Sequence, residues 1–259
     1  MSEKAYKAYS RAIEHGVEFL KKTLQAKTPK KKITLGKKTV ASFRKALLQT
    51  KQLGMTKKTP FVYEYIVQMQ ATIAASYLEL EKFPEAIKTF EEALESNAKS
   101  PQNIKQVEIR SFLFAELAKT NFSIKKLPIA EKFANKSLQL GSQKNFNQED
   151  LLDLYIELNP IFIRSGSINK ITKNYRFMVK LAKRDKRKSL KAQVYFAYGK
   201  YMYGIANDIA EAKKYLRKAQ SLFGSVGLHK GLEEVNKFLE EKVNKVPEEM
   251  PDDKDFNST

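Results

Sequence analysis

The sequence predicts an all-α chain, an α-solenoid of antiparallel helical hairpins, and three observations carry that prediction. Glycine and proline are sparse, 10 and 8 in 259 residues, while apolar residues make up 42%, a composition suited to long helices with few breaks. A proline-bearing turn recurs, as Glu81-Lys82-Phe83-Pro84-Glu85 and as Lys125-Lys126-Leu127-Pro128-Ile129. Around each turn, small and large apolar residues fall at matching helical spacings, which is how stacked hairpins bury a continuous core.

The clearest hairpin covers residues 67–99. Its first helix sets Ile73, Ala74 and Tyr77 on one stripe, and its second carries Ala86, Phe90, Ala93 and Leu94. Alanines at 74 and 86 let two antiparallel helices approach closely, while Tyr77, Phe83 and Phe90 fill the space between successive pairs. A second copy uses Phe114, Leu117, Ala118 and Asn121, then Leu127, Ala130, Ala134, Ser137 and Leu138. A third uses Tyr155, Leu158 and Phe162, then Ile168, Ile171, Tyr175 and Met178, around Ser165-Gly166-Ser167. The fourth uses Tyr195, Tyr198, Gly199 and Met202, then Ala212, Leu216 and Ala219. The anchors Ala86, Ala130, Ile171 and Ala212 stand 44, 41 and 41 residues apart.

The ends complete a single repeat domain over residues 1–245. An N-terminal hairpin within 1–60 is expected from helices at about 3–24 and 38–53, with Phe43, Ala46 and Leu47 on an inner stripe and Thr28-Pro29-Lys30-Lys31-Lys32 as a basic link. Four hairpins follow over 67–223. Leu228, Leu232, Val235 and Leu239 recur at helical spacing opposite Glu and Lys, so 228–245 reads as a capping helix. The acidic segment 246–259 reads as a disordered tail.

Gln70, Ile73, Ala74, Tyr77, Ala86, Phe90 and Ala93 together resemble the tetratricopeptide repeat, whose pattern runs large residue, Leu-Gly, Tyr, then Ala, Phe/Tyr and Ala. Three positions depart from it: Gln70 is polar at the large first position, Ala74 replaces glycine, and the terminal proline is displaced to Pro101. The resemblance covers about residues 67–239, and the long spacing, with Ala219-Gln220-Ser221-Leu222-Phe223 running into Gly227-Leu228-His229, is similar to the repeats of kinesin light chain type adaptors. It implies a right-handed stack whose groove is lined by the first helix of each hairpin. Transferred to this chain, the groove residues are Gln68, Ala71, Ala75 and Leu78; Phe112, Ala115, Lys119 and Phe122; Asp153, Ile156 and Ile163; and Val194, Ala197 and Tyr201. Family members that clamp acidic chaperone tails carry Lys, Asn and Arg here. The mostly apolar face of this chain matches an apolar or amphipathic protein segment instead.

The formal charge is +19, and the five acids and one base of residues 246–259 leave +23 on the rest. Such a field attracts polyanions; lysines that merely solvate helix faces are the plainer explanation, since phosphate readers favour Arg. Two runs are candidate polyanion contacts or nuclear import signals, Lys30, Lys31 and Lys32, and Lys183, Arg184, Lys186, Arg187 and Lys188; a solvated linker or helix start is the commoner outcome for runs this short. Aromatic and basic residues interleave from Tyr195 to Tyr203; such rings serve base stacking or packing between hairpins, and with Tyr195, Tyr198 and Met202 on the packing stripe, Tyr201 is the better candidate for an exposed ring.

Little catalytic chemistry is visible. There is no cysteine, and His15 and His229 stand at opposite ends of the chain without metal-ligand spacing. Gly199-Lys200-Tyr201-Met202-Tyr203-Gly204 opens like a phosphate loop, but Ile205-Ala206 stands where Lys and Ser or Thr are required. Ser165-Gly166-Ser167 reads as a turn rather than a nucleophile elbow. The acidic clusters of residues 91–95 and 233–241 alternate with Lys at ion-pairing spacing. The expectations are therefore no enzyme activity, no cofactor, no metal and no small-molecule substrate. No stretch approaches the ~20 apolar residues of a membrane span, and residues 1–7 lack the apolar core of a signal peptide, so an intracellular protein, cytoplasmic or nuclear, is expected. The leading function is a protein-binding scaffold or adaptor; the alternative is an RNA-associated helical repeat using its basic outer surface.

Overall fold

The computed structural model describes residues 3–55, 59–100 and 104–244, and no strand occurs among them. Eleven α-helices are described: α1 Glu3–Leu24, α2 Pro29–Gln52, α3 Thr59–Glu79, α4 Phe83–Ala98, α5 Ile104–Ser123, α6 Leu127–Gly141, α7 Gln148–Ser165, α8 Ile168–Arg184, α9 Lys188–Gly204, α10 Ile209–Ser225 and α11 His229–Phe238. Chain packing divides the protein into two compact units, Met1–Ser165 and Gly166–Thr259.

In the first unit each helix packs on the next from α1 to α7, and α5 also touches α7, as first helices do in a stack of hairpins. Phe43, Ala46 and Leu47 of α2 are buried against Ile66, Met69 and Ile73 of α3. At Gly16 a Cβ would come within 2.7 Å of the Phe43 ring, so only glycine lets α1 cross α2 this closely. The next core joins Val67 and Ala74 to Ala86, Phe90, Ala93, Leu113 and Leu117. Ala74, Ala86, Ala118 and Ala130 are all fully buried at the contacts between paired helices. Burying a side chain such as Phe90 stabilises the fold by about 1.5–3 kcal/mol.

The turns repeat as faithfully as the core. Glu81, Lys125, Gly166 and Asn207 have φ of 56°, 62°, 77° and 54°, and they stand 44, 41 and 41 residues apart, the spacing of the anchor residues. In the first hairpin Lys82 N–H donates to Tyr77 O and Glu81 N–H to Leu78 O, each at 2.9 Å; in the second Lys126 donates to Asn121 O and Lys125 to Phe122 O, also at 2.9 Å. Both helices are thus closed by the same left-handed cap, which ordinarily falls to glycine. Pro84 and Pro128 then occupy the first turn of α4 and α6, where a missing N–H costs nothing.

In the second unit α8 packs on α9, α9 on α10 and α10 on α11. A Cβ at Gly199 would lie 2.7 Å from Leu216, so this glycine plays the close-contact part that Ala74 and Ala118 play earlier. Tyr215 meets the rings of Tyr195 and Tyr198 edge-on, at 5.3 and 4.8 Å between centroids. The chain ends its described part in α11 and a π-helical turn, Leu239–Val243.

Two expectations need correction. The basic link is not a link: α2 begins at Pro29 and runs through Lys30, Lys31 and Lys32, with Thr28 Oγ1 accepting from Lys31 N–H at 3.4 Å. A Thr followed by Pro is a helix start, and the lysines obscured it because cations are disfavoured in a first turn. In the cap, Val235, Leu239 and Val243 are buried while Leu228 is exposed, because α11 starts one residue after it. Pro101 and the 246–259 tail lie outside the described residues.

Candidate functional site

In the first unit the solvent-facing side of the first helices carries most of the expected groove residues. Gln68 and Ala75 of α3 are exposed, Ala71 and Leu78 half-buried. On α5, Phe112 is 41% exposed, and Lys119 and Phe122 are half-buried. Asp153 and Ile156 of α7 are half-buried and Ile163 is exposed. Ala115 is an exception at 1% exposure, packed into the core instead of lining the face.

The face is also more polar than expected. Lys105, Phe112 and Lys119 follow one another at seven-residue intervals on α5, which keeps them on one side of the helix. Lys105 Nζ reaches Glu64 of α3 at 2.5 Å, and Lys119 Nζ reaches Glu157 of α7 at 2.9 Å. Two ion pairs that tie neighbouring first helices together therefore bracket an exposed phenylalanine. Burial alone would depress the Lys119 ammonium, but hydrogen bonds to Glu116 and Glu157 outweigh it and hold the group above the ordinary lysine range. Lys119 stays charged and fixed rather than free to capture a ligand carboxylate.

In the second unit the expected face is rotated. Val194 and Tyr201 are 1% and 4% exposed. Tyr201 stacks on Tyr175 at 4.8 Å, donates to Ile168 O at 3.3 Å and shares a short hydrogen bond with Thr172. It is a core tyrosine, not a ring offered to bases. Within α9, between its ends, Gln193 and Lys200 are the exposed residues, with Ala197 half-buried beside them. The internal repeat explains the slip: Gln68, Phe112 and Asp153 each stand two residues before the first large position, at Gln70, Phe114 and Tyr155, and the counterpart before Tyr195 is Gln193. One residue of error turns a helical face by about 100°. Gln193, Phe196 and Lys200 line a cleft of about 450 Å³ against Leu228, His229 and Gly231, where Lys200 Nζ sits 4.8 Å over the Phe196 ring.

The basic runs are partly committed to the fold. Lys32 pairs with Glu79 at 3.6 Å, leaving Lys30 and Lys31 exposed. Arg187 wraps buried Asp185 with Nε 3.1 Å from both carboxylate oxygens and Nη2 2.7 Å from Oδ2, while its backbone N–H donates to Oδ1 at 2.7 Å. These contacts hold the Asp185 carboxyl below its usual range. Lys183, Arg184, Lys186 and Lys188 remain exposed around this clasp. The sequence reading missed Asp185, although an acid inside a basic run is the available signal.

Among the described residues no three His, Cys, Asp or Glu side chains are grouped to hold a metal, and no helix is long and apolar enough to cross a membrane.

Consecutive antiparallel hairpins with small residues at their contacts, a repeated left-handed cap and a final covering helix define a tetratricopeptide-like solenoid. No protein-family model matches the sequence, and neither does any curated protein. Among solved structures the chain is similar to BtubC (BKLC) from P. vanneervenii, at TM-score 0.57 and 12% identity, covering 87% of this chain and 93% of that one. It is similar to the nearly identical TPR-like repeats of a Podosopora anserina kinesin light chain type protein, at TM-score 0.54 and 13% identity over 85% and 97%. It is also similar to the Rap conjugation gene regulator of plasmid pLS20, solved in complex with the Phr* peptide, at TM-score 0.51 and 11% identity, covering 81% of this chain and 54% of that one. At such identities these are likenesses of fold.

Proposed function

We propose that the protein is a non-catalytic scaffold or adaptor that holds an apolar or amphipathic segment of a partner protein against the first-helix face of its hairpins. The observation that carries the reading is the α3–α5–α7 face, where exposed Phe112 stands between the Lys105–Glu64 and Lys119–Glu157 pairs. An exposed aromatic ring on rigid helices is the kind of anchor that dominates protein interfaces. Ion pairs on either side bridge the neighbouring first helices and leave the ring as the apolar centre of the face. Ala71, Ala75 and Ile156 of the neighbouring first helices are small or apolar and half-buried or exposed, as a face that receives a partner's apolar side chains requires. The Rap regulator's complex with a peptide supports this reading as an instance of the fold holding a polypeptide.

The test is affinity purification from the native cell, with and without nuclease, using the natural chain and Phe112→Glu. Capture of a protein that survives nuclease and is lost with Phe112→Glu is the expected result. Capture that vanishes with nuclease, or that ignores the substitution, overturns the reading. In the first case the basic surface, through Lys30, Lys31, Lys183, Arg184, Lys186 and Lys188, becomes the site to pursue.

A further inference from the structure

On the other side of α3 lies a second site. The outer helices α2 and α4 flank a cleft of about 610 Å³ whose floor is Gln70, Ile73 and Tyr77 of α3. Gln70 is 2% exposed, and neither its side-chain oxygen nor its nitrogen has a hydrogen-bond partner. Its counterparts one, two and three hairpins along are Phe114, Tyr155 and Tyr195. Only here among these four positions does a carboxamide replace the aromatic ring; Tyr195 also borders a cleft, of about 420 Å³, but brings a ring to it rather than an unpartnered amide.

The walls are charged and uncommitted. Lys37 and Arg44 of α2, and Glu85, Lys88 and Glu92 of α4, border the cleft without an ion pair among the described residues. Lys37 instead places its ammonium 5.7 Å over the Tyr77 ring. A buried carboxamide with its donor and acceptor both unused demands a ligand offering one acceptor and one donor side by side. The N–H and C=O of one residue in an extended chain point the same way and meet that demand. A helical segment does not, because its backbone groups are bonded internally. An adenine edge is the other common complement of glutamine, but the aromatic ring that lines the cleft, Tyr77, already carries the Lys37 ammonium on its face, where a base would stack.

We propose that the α2–α4 cleft binds an extended peptide segment with an acidic excess, its backbone clasped by Gln70 and its carboxylates held by Lys37, Arg44 and Lys88. This goes beyond the scaffold reading, because it uses the opposite side of α3 and a different ligand conformation, and either can fail without the other.

Fluorescence anisotropy of the full chain with fluorescein-labelled acetyl-(Asp-Ala)3-amide tests it. Saturable binding is expected, weakened at least ten-fold by Gln70→Phe and by Lys88→Glu, and weakened for the Asn-Ala counterpart peptide. Lys132→Glu, the same charge change at the matching exposed position of α6, should leave affinity within two-fold. If Gln70→Phe does not fold by circular dichroism, Lys88→Glu on the exposed surface decides the matter alone. No binding to the natural chain, binding unmoved by the cleft substitutions, or cleft-dependent binding of oligoadenylate in place of the peptide overturns the proposal.

Discussion

Hairpins α3–α4 and α5–α6 share their turn, their left-handed cap, their proline and their alanine contacts, yet they part at the first large position of the repeat. In α5–α6, Phe114 stacks on Phe133 at 5.9 Å and lies under the Lys136 ammonium at 5.2 Å, so the space beside the first helix is filled. In α3–α4, Gln70 holds the same place, unpartnered, at the bottom of an open cleft. A buried amide left unsatisfied costs about 1–3 kcal/mol. The fold carries that cost in one hairpin and avoids it in the next, which separates a hairpin built for packing from one that retains a polar opening.

Exchanging the two residues is the direct way to break this comparison. Phe114→Gln should give the largest effect, a loss of about 2–3 kcal/mol from aromatic packing and burial of a new amide, read as a Tm lowered by about 2–4 °C per kcal/mol. Gln70→Phe should move the other way and stabilise by about 1–2 kcal/mol as the orphan amide is removed. A Gln70→Phe protein less stable than the natural chain would mean that the cleft cannot accept a ring and that the two hairpins differ by more than one residue.

Asp185 serves as a control outside both hairpins. Arg187 lowers its folded pKa, so the stability it contributes is fully present above the unfolded carboxylate value of about 3.9 and is lost as pH falls through the folded value. Asp185→Asn should cost about 1–2 kcal/mol at neutral pH and flatten that part of the acid-denaturation curve, while neither position 70 nor position 114 should alter it.

The smallest effects sharpen the shared half of the comparison. Glu81→Gly and Lys125→Gly each relieve a side chain at positive φ, and each should stabilise by about 0.5–1 kcal/mol in denaturant melts. Unequal gains would show that the two caps are less alike than their hydrogen bonds.

Much of the fold was legible because a repeat states each feature more than once. Ala86 and Ala130 with their preceding prolines located two turns, and the anchors Ile171 and Ala212 carried the same spacing onward, to which the structure adds the left-handed residues Gly166 and Asn207. The start of α2 was lost because three lysines after Pro29 look like a solvated link and hide the Thr28-Pro29 start signal; the packing of Ile33 and Val40 into the core shows that the helix runs through them. The face of α9 was misread because its tyrosines fit more than one helical register; the contact of Gly199 with Leu216 settles which side is inward. The vacant pairing of Gln70 was visible only as a departure from the repeat. Its meaning came from the cleft.

The scaffold claim is tested most directly by photo-crosslinking in the native cell, with a benzophenone amino acid placed at position 112 and, as a control, at exposed position 135 on α6. A protein adduct of defined mass from position 112, absent from 135 and unchanged by nuclease, is the predicted result. Adducts from 135 alone, or only nucleic acid from 112, would contradict it.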